Sequence, residues 1–321
     1  MPLIERSEYV PPRLFGNCHM QTIYATCFRR VAFAFERERL ELPDGDFLDL
    51  DWALTNSKHA VIVCHGLESS TEAPYMKGMA RAFSSRGWDV LAVNFRSCSG
   101  VPNRLYRSYH SGNSDDIEAV VAHVERQGYE TISVVGFSLG GNTVLKYAGE
   151  GRTLPAAVKC FAAVSVPCDL RAGAELMAEP SMLIYMEYFM ISLRAKMRFK
   201  TQYLPPHLSL CDFDSMRTFR EFDDAYTGPA HGFEDAEDYW ACCNCRQFIP
   251  DIERPTLLIN AADDPFLPFE CFPLEEARES STFHLEVPEK GGHVGFVPLN
   301  GSSEYWHETR VAEFVGVMSN K

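Results

Sequence analysis

The chain has 321 residues, 46% of them hydrophobic, and its 30 Lys and Arg residues against 44 Asp and Glu residues leave a net charge of −14. A chain of this length buries about 75% of its unfolded surface, which is enough for one large domain or for a domain with an inserted cap. The acidic balance, without a segregated basic patch, repels a phosphate backbone, so we expect no binding to nucleic acid.

The N-terminus gives no sign of export. Its first six residues, MPLIER, lack the basic start and apolar core of a signal peptide. No uninterrupted apolar run reaches about 18 residues, the length that spans a bilayer. The eleven cysteines are odd in number and scattered, which is typical of reduced thiols rather than of a disulfide framework. The sequence therefore predicts a cytoplasmic protein.

Short apolar runs alternate with helical patterns along most of the chain. The apolar runs predict strands covered on both faces at residues 60–64, 90–93, 131–135, 158–164, 256–260 and 282–287. Apolar residues at helical spacing predict helices at residues 74–86, 113–127, 139–148 and 304–318. Two early segments, 31–40 and 47–52, mix polar and apolar residues more freely and fit an antiparallel edge. The alternation predicts a mostly parallel sheet with helices on both faces.

The interval from Pro167 to Pro250 interrupts this alternation with aromatic, Met-rich and strongly charged stretches but no clear strand. Because the pattern of strands and helices resumes afterwards, we interpret the interval as a helical cap inserted into one domain. The prediction is a core of residues 30–166 and 251–321, a cap of residues 167–250 and an N-terminal strap of residues 1–29.

Leu183 to Lys200 form an amphipathic helical pattern within the predicted cap. The favoured interpretation is a helix whose apolar face covers the sheet. The alternative is a lid that lines an acyl pocket or makes transient contact with a lipid surface. Its flexible Met side chains would suit variable acyl chains.

Cys242, Cys243 and Cys245 lie close together later in the cap, and two cysteines at this spacing can bind one zinc ion. A structural zinc site needs two more ligands at similar spacing, and none follows nearby. We therefore interpret these residues as thiols, and we expect neither a metal nor an organic cofactor.

The clearest chemical motif is Gly136-Phe137-Ser138-Leu139-Gly140, which lies between a predicted strand and a predicted helix. Small residues two positions before and after the serine let strand and helix approach each other. Such a turn lifts the hydroxyl above the sheet edge and puts the Leu139 amide at a helix N-terminus, where an oxyanion can bind. The alternative is a plain turn that contains a serine, but the flanking strand and helix favour a nucleophile.

A nucleophilic serine needs a base, and the base needs a carboxylate that orients it. When the serine lies on such a turn, the acid and then the histidine follow it along the chain. We prefer Asp264 as the acid, because an Asp followed by Pro and two apolar residues resembles the usual acid turn, and Asp263 is the alternative. We predict His293 as the base, because glycines flank it in the loop after the last strand, whereas His284 lies inside that strand.

Two further histidines lie near these groups. The loop after strand 60–64 supplies a second oxyanion donor as a backbone amide, for which Leu67 is the natural candidate. His65 would then shape that loop rather than transfer a proton. His110, with Asp115 five positions later, matches a pattern quoted for some acyltransferases. The preferred interpretation is a loop leading into a helix whose first turn favours Asp.

Several motifs occur together and in a fixed order. They are His65-Gly66-Leu67-Glu68, residues 94–100 (NFRSCSG), residues 109–112 (YHSG), residues 136–142 (GFSLGGN), residues 263–266 (DDPF), residues 291–296 (GGHVGF), residues 16–23 (GNCHMQTI) and residues 219–226 (FREFDDAY). Together they resemble the YheT-like branch of the α/β-hydrolase superfamily over nearly the whole chain. The resemblance implies an α/β-hydrolase fold and carboxylic-ester hydrolysis, since relatives act as esterases or lipases and some as medium-chain acyltransferases.

The resemblance carries a catalytic triad onto Ser138, Asp264 and His293. In two places this sequence departs from the relatives, because Ser69 and Ser97 stand where they often have Gly. Neither serine belongs to the triad, but Ser69 adjoins the oxyanion loop.

The resulting hypothesis is a two-step acyl transfer on a small-molecule acyl ester. His293 takes the Ser138 proton, Asp264 compensates the imidazolium, and the Leu67 and Leu139 amides bind the oxyanion before water hydrolyses the acyl-enzyme. One alternative is an acyltransferase that passes the acyl group to an alcohol. Another is a non-catalytic binding protein on a hydrolase fold, which the intact Ser, Asp and His set disfavours. The sequence leaves open the acyl length, the head group and the oligomeric state.

Overall fold

The structure is a computed structural model that describes residues 3–4, 6–206, 211–299 and 301–319. The parts of the predicted strap, cap and core at residues 1, 2, 5, 207–210, 300, 320 and 321 lie outside the described residues.

The strands of the described chain form one nine-stranded sheet in the order β1-β9-β8-β7-β6-β4-β5-β3-β2. They are β1 (Leu3–Ile4), β2 (Glu36–Glu41), β3 (Phe47–Ala53), β4 (His59–Cys64), β5 (Asp89–Asn94), β6 (Thr131–Phe137), β7 (Val158–Val164), β8 (Thr256–Ile259) and β9 (Phe283–Glu286). Neighbours pair in parallel from β1 across to β5, whereas β3 runs antiparallel to both β5 and β2. The predicted mostly parallel sheet with an antiparallel N-terminal edge is confirmed.

Two strands differ from the prediction. β1 was not predicted, since two residues are too few to show a pattern, and it adds the N-terminal segment to the sheet beside β9. β2 begins at Glu36 instead of residue 31, because Phe33 and Phe35 before it pack against the buried core instead of continuing the ladder.

The helices of the described chain fill the intervals between strands. They are α1 (Cys18–Ile23), α2 (Pro74–Ser84), α3 (Ser114–Arg126), α4 (Leu139–Gly149), α5 (Leu170–Met177), α6 (Leu183–Lys200), α7 (Phe219–Phe222), α8 (Gly228–His231), α9 (Ala236–Cys243), α10 (Leu274–Glu279) and α11 (Trp306–Met318). Two π-helical turns, Tyr24–Phe28 and Asp223–Thr227, extend α1 and α7. None of the helices in the described ranges combines the length and the apolar character needed to cross a membrane.

Both faces of the sheet are covered, as predicted. On one face α3 buries Ile117, Val120, Val121 and Val124, the residues that its period placed together, in the same cluster as side chains of α4. On the other face α2 and α11 pack together into a second cluster with the opposite side of the strands. Each fully buried aliphatic side chain stabilises the fold by about 1.5–3 kcal/mol, so the two faces hold the strand ends in fixed positions.

Between β7 and β8 the described chain is helical, with α5 to α9 and connecting turns. α6 has the predicted bounds, but its buried face does not cover the sheet. It packs into a separate cluster of cap side chains that includes Met177, Met182, Phe213 and Phe222. The favoured interpretation of this face is therefore wrong, and the helix instead forms the core of the cap. The division into core, cap and strap stays a prediction.

Candidate active site

Ser138 lies on a sharp turn between β6 and α4. Its backbone has φ +50° and ψ −122°, a conformation that costs a residue with a side chain about 1–3 kcal/mol. A Cβ atom at Gly136 would lie 2.5 Å from the carbonyl oxygen of Gly140, and one at Gly140 would collide with the carbonyl oxygen of His65. The glycines therefore give the clearance that the motif predicted, and the strained turn is fixed by the strand and helix on either side.

Hydrogen bonds connect Ser138 to His293 and His293 to Asp264. The Ser138 Oγ lies 3.0 Å from His293 Nε2, and His293 Nδ1 lies 2.9 Å from Asp264 Oδ2 and 3.1 Å from Oδ1. The Asp264 side chain is fully buried, so only an N–H facing it satisfies the carboxylate, which assigns the imidazole proton to Nδ1. Nε2 is then free to accept the Ser138 proton.

The two neighbouring aspartates have different contacts. Asp264 also accepts the backbone N–H of Phe266 at 2.9 Å, and the Phe266 ring packs 4.4 Å from the His293 ring, centroid to centroid. Asp263 instead accepts the backbone N–H of Gly292 at 3.0 Å and faces Lys290 at 3.6 Å. The structure thus brings Asp264 rather than Asp263 to His293, and it adds Phe266 as a neighbour that the sequence pattern did not assign.

The two predicted oxyanion donors, Leu67 and Leu139, line the same cavity as Ser138. No turn or capping hydrogen bond among the described residues uses the N–H of Leu67 or of Leu139. A Cβ atom added to Gly66 would lie 3.1 Å from Ser138 Cβ, so the loop before Leu67 passes close to the serine. The loop is held by the Tyr75 hydroxyl, which accepts the Gly66 N–H at 3.0 Å and donates to Ser69 Oγ at 2.8 Å.

His65 is fully buried at the base of this loop. Its Nδ1 lies 2.7 Å from the carbonyl oxygen of Gly66, and its Nε2 accepts the backbone N–H of Phe95 at 3.1 Å. Burial lowers the pKa of His65 to about 4, so the ring is neutral and both nitrogens are engaged. These contacts agree with the expectation that His65 shapes the loop.

Glu68 connects the loop to the cap. Its carboxylate, almost completely buried, accepts hydrogen bonds from the Tyr109 hydroxyl at 2.8 Å and from two side chains of α6, Ser192 and Lys196, each at 2.6 Å. Burial acts to raise the pKa of Glu68, but the attraction of Lys196 and the hydrogen bonds outweigh it and lower the pKa. The motif at residues 65–68 gave no sign that Glu68 pairs with Lys196, because 128 positions separate the two residues along the chain.

Two cavities meet at Ser138 and His293. The inner cavity, of about 150 Å³, lies under the cap and is lined by apolar side chains that include Leu193, Met197 and Phe219. The outer groove, of about 1000 Å³, opens between α6 and the segment that follows α1. Large exposed apolar side chains line this groove, namely Ile23, Ile184, Tyr188 and Phe199.

The remaining candidate residues are His110, Asp115 and His284, which contact other parts of the molecule. His110 packs against His231 with 4.5 Å between ring centroids, and Asp115 pairs with Arg152 at the surface at 2.5 Å. These contacts favour the interpretation of residues 110–115 as a loop leading into α3. His284 packs on Phe314 of α11.

The cysteines of the cap are free thiols with different exposures. Cys242 is exposed, whereas Cys243 and Cys245 are buried. Across the residues that the structure describes, no group of three or more His, Cys, Asp and Glu side chains is arranged to hold a metal ion.

Known proteins are similar to this chain in sequence and in fold. A family model described as alpha/beta hydrolase fold matches residues 59–297. The chain is 38% identical to the putative esterase YheT of Escherichia coli (strain K12), over 96% of this chain and 93% of that one. It is 26% identical to the phospholipase ABHD3 of Bos taurus, over 82% of this chain and 66% of that one. The solved structure of the esterase Pf2001 of Pyrococcus furiosus superposes with a TM-score of 0.60 at 20% identity, over 98% of this chain and 100% of that one.

The solved structure supports the fold, and the sequence matches identify the family. The family model covers most of the chain, and the similarity to YheT extends along nearly its full length. The chain therefore belongs to the α/β-hydrolase family, in which it is an esterase-like hydrolase similar to YheT.

Proposed function

We propose that this protein is a serine carboxylic-ester hydrolase in which Ser138, His293 and Asp264 form the catalytic triad. The observation that carries the proposal is the continuous row of hydrogen bonds from the Ser138 hydroxyl through His293 to the buried Asp264. A serine hydroxyl on a strained turn, next to the neutral nitrogen of an oriented imidazole, is the arrangement that makes it nucleophilic.

The first half of the reaction forms an acyl-enzyme. As Ser138 Oγ bonds to the ester carbonyl carbon, its proton moves to His293 Nε2, and the negative charge on the carbonyl oxygen is held by the Leu67 and Leu139 N–H groups. The tetrahedral intermediate then breaks the bond to the alcohol oxygen, which leaves with the proton from Nε2. Asp264 stabilises the imidazolium meanwhile without becoming protonated.

The second half repeats these steps with water. His293 Nε2 takes a proton from water as the hydroxide oxygen bonds to the acyl carbon, and it returns the proton to Ser138 Oγ as the acyl bond to the serine breaks. The products are a carboxylic acid and the restored enzyme. This chain's residues supply every proton transfer, so the proposed reaction involves no cofactor.

The two cavities support a substrate with two different parts. We propose that the acyl chain enters the inner cavity, since its walls are largely apolar, and that the alcohol part lies in the larger outer groove. The exposed apolar side chains that line the groove suit esters taken from a neutral lipid surface, in line with the phospholipase name of one relative. Retention on zwitterionic vesicles in a flotation assay tests this contact, and recovery of all the protein in the vesicle-free fraction contradicts it.

A fluorophosphonate probe together with hydrolysis of p-nitrophenyl esters tests the proposed function. We expect the wild type to be labelled and active, and we expect Ser138→Ala to lose the label and at least about 10⁴-fold in kcat. Failure to label the wild type, or equal labelling of Ser138→Ala, contradicts the proposal. Failure to label the wild type also favours the alternative of a non-catalytic binding protein. An added alcohol distinguishes the acyltransferase alternative, because ester product in excess of free acid contradicts simple hydrolysis.

A further inference from the structure

The loop that carries His293 has an unusual backbone. Gly292, Val294 and Phe296 have φ values of +58°, +53° and +43°, in the left-handed region that residues with side chains rarely adopt. Two of the three are not glycine. A loop in this conformation keeps its shape only where contacts from the rest of the protein fix it.

Three successive backbone N–H groups of this loop donate to side chains of three different segments. The pairs are Gly292 N–H with Asp263 Oδ1 at 3.0 Å, His293 N–H with Thr22 Oγ1 at 2.9 Å, and Val294 N–H with Ser165 Oγ at 2.9 Å. Asp263 follows β8 and Ser165 follows β7, so both belong to the same sheet edge as Asp264. Thr22 belongs to α1, about 270 positions away along the chain.

Thr22 lies on α1, and a hydrogen bond within the helix orients its hydroxyl. The N-cap of the helix is Asn17, whose side chain accepts the Met20 N–H at 3.1 Å. The Thr22 hydroxyl donates its proton to the Cys18 carbonyl oxygen at 2.9 Å, which leaves a lone pair for the His293 N–H. Thr22 is buried, so water has little access to replace it. A Cβ atom at Gly292 would lie 2.5 Å from the Cys18 oxygen, which shows how closely the two backbones approach.

Gln21 holds the other end of the same loop. The side chain is fully buried, and its Oε1 accepts the Val297 N–H at 3.2 Å and lies 2.6 Å from the Tyr9 hydroxyl. The Tyr9 hydroxyl is also 3.0 Å from the Val297 carbonyl oxygen. A Cβ atom at Gly295 would lie 2.8 Å from Gln21 Cβ. Consecutive residues of α1 thus contact the loop at His293 and at its exit.

We propose that α1 is a positioning element for His293, with Thr22 as its principal positioning residue. Thr22 fixes the backbone of residue 293 and Gln21 fixes residue 297, so that Nε2 stays within hydrogen-bond distance of Ser138. The inference rests on the proposed function, since positioning matters only if His293 is the base. It also gives a role to the motif at residues 16–23, which the reaction itself does not use. Displacing a reacting group by about 1 Å costs up to about 10²-fold in rate.

The test compares Thr22→Val, which keeps the shape but removes both hydrogen bonds, with Thr22→Ser, which keeps the hydroxyl. We expect Thr22→Val to lower kcat for a p-nitrophenyl ester by about 10- to 100-fold with KM within about twofold. The rate of fluorophosphonate labelling should fall by the same factor. Thr22→Ser should restore both to within about threefold. Thr22→Ala is a second variant with the same expectation if Thr22→Val does not fold.

Thr282→Val is the matched control for a general loss of stability. The Thr282 hydroxyl donates to the Ile252 carbonyl oxygen at 2.6 Å and joins two segments at the opposite end of β9 from the His293 loop. We expect it to lower the Tm and to leave kcat within about twofold. A Thr22→Val variant within about threefold of the wild-type kcat, a Thr282→Val loss of equal size, or no rescue by Thr22→Ser overturns the inference. An unreactive wild type overturns the proposed function and this inference together, whereas a reactive wild type with a Thr22→Val variant that reacts within about threefold of it overturns this inference alone.

Discussion

The sheet and the cap of this protein bury different kinds of apolar side chain. The central strands bury β-branched residues such as Val61, Ile62 and Val63 with no exposed surface, and such side chains have few rotamers. The cap cluster contains six of the eleven methionines of the chain, whose unbranched side chains adapt to different neighbours. The site is therefore divided between a rigid part that holds the proposed triad and an adaptable part that lines the inner cavity.

The proposed triad belongs entirely to the rigid part. Ser138, Asp264 and His293 follow β6, β8 and β9, so parallel strand ends bring them to one edge of the sheet. The cap reaches this edge through the side chains of α6, and Lys196 connects it to Glu68 in the loop of the proposed oxyanion donor Leu67. Substitutions in the sheet should therefore affect the chemical step, and substitutions in the cap should affect substrate preference.

The largest effect is expected at Asp264. Asp264→Asn should lower kcat by about 10⁴, because the amide cannot hold the imidazole with its proton on Nδ1. Steady-state kinetics with a p-nitrophenyl ester, at matched protein folding by circular dichroism, measures the loss.

Asp263→Asn is the control for this substitution. It changes the neighbouring residue and keeps an oxygen for the Gly292 N–H, so we expect a much smaller loss of kcat. If Asp263→Asn loses more activity than Asp264→Asn, the assignment of the acid moves by one residue.

A smaller effect is expected at the connection between the two regions. Lys196→Met should lower kcat by about 10- to 100-fold, less than the 10²–10³ typical of removing an oxyanion donor outright, because the amide of Leu67 remains but its loop loses support. Glu68→Gln should act in the same direction. Values of kcat and Tm for both single variants and for the double variant give the coupling between the residues.

The double variant distinguishes a connection from two separate defects. Each single variant leaves one buried charge without its partner, so the double variant should regain part of the lost Tm. Strictly additive losses in kcat and Tm would contradict the connection between the cap and the oxyanion loop.

Local patterns were sufficient to predict the rigid part. The period of α3 identified its four buried apolar residues, and the glycines around Ser138 identified the turn. The order of acid and histidine after the serine pointed to Asp264 and His293, which the structure places beside Ser138. For α3 and for the turn at Ser138 the information lies within about ten residues of sequence, and for Asp264 and His293 it lies in two short loops and in their order along the chain.

The parts that were missed depend on partners far away in the chain. The amphipathic pattern of α6 predicted a helix, but amphipathicity does not say which surface covers the apolar face, and the sheet was the wrong choice. Thr22 and His293 lie 271 positions apart, and nothing in the local sequence of either pairs them. The contribution of α1 to the site is visible only once the chain is folded.

The preference for acyl chain length should respond to changes in the volume of the inner cavity. Met197→Phe should fill part of the inner cavity and lower kcat/KM for octanoyl esters relative to butyryl esters by about tenfold, because one or two lost methylene positions are worth that much discrimination. A series of p-nitrophenyl esters measures the shift of the optimum. Ile191→Phe, on the exposed face of the same helix, should leave the series unchanged. An equal shift in both variants would contradict the assignment of the inner cavity to the acyl chain.

The smallest effect concerns a carboxyl group of the cap. Asp223 lines the inner cavity, where the Thr227 hydroxyl and the Trp240 indole N–H donate to its oxygens at 2.6 and 2.9 Å. Burial raises the pKa of this group from 3.8 to about 7. Between about pH 4 and pH 7, the folded protein therefore holds a proton on Asp223 that the unfolded chain has already released. The stabilisation is complete below about pH 4 and is lost as the pH rises towards 7, with a slope of at most about 1.4 kcal/mol per pH unit.

Urea denaturation between pH 5 and 8 measures this slope. We expect the free energy of unfolding of the wild type to fall with pH relative to that of Asp223→Asn, which does not titrate. Only the slopes are compared, because any change that the amide makes to the contacts with Thr227 and Trp240 alters the stability equally at every pH. Asp224→Asn changes the adjacent, exposed carboxylate and should keep the wild-type slope. Parallel lines for the wild type and Asp223→Asn would mean that the group is ionised in the folded cap, and the cap would then hold a negative charge in the wall of the inner cavity.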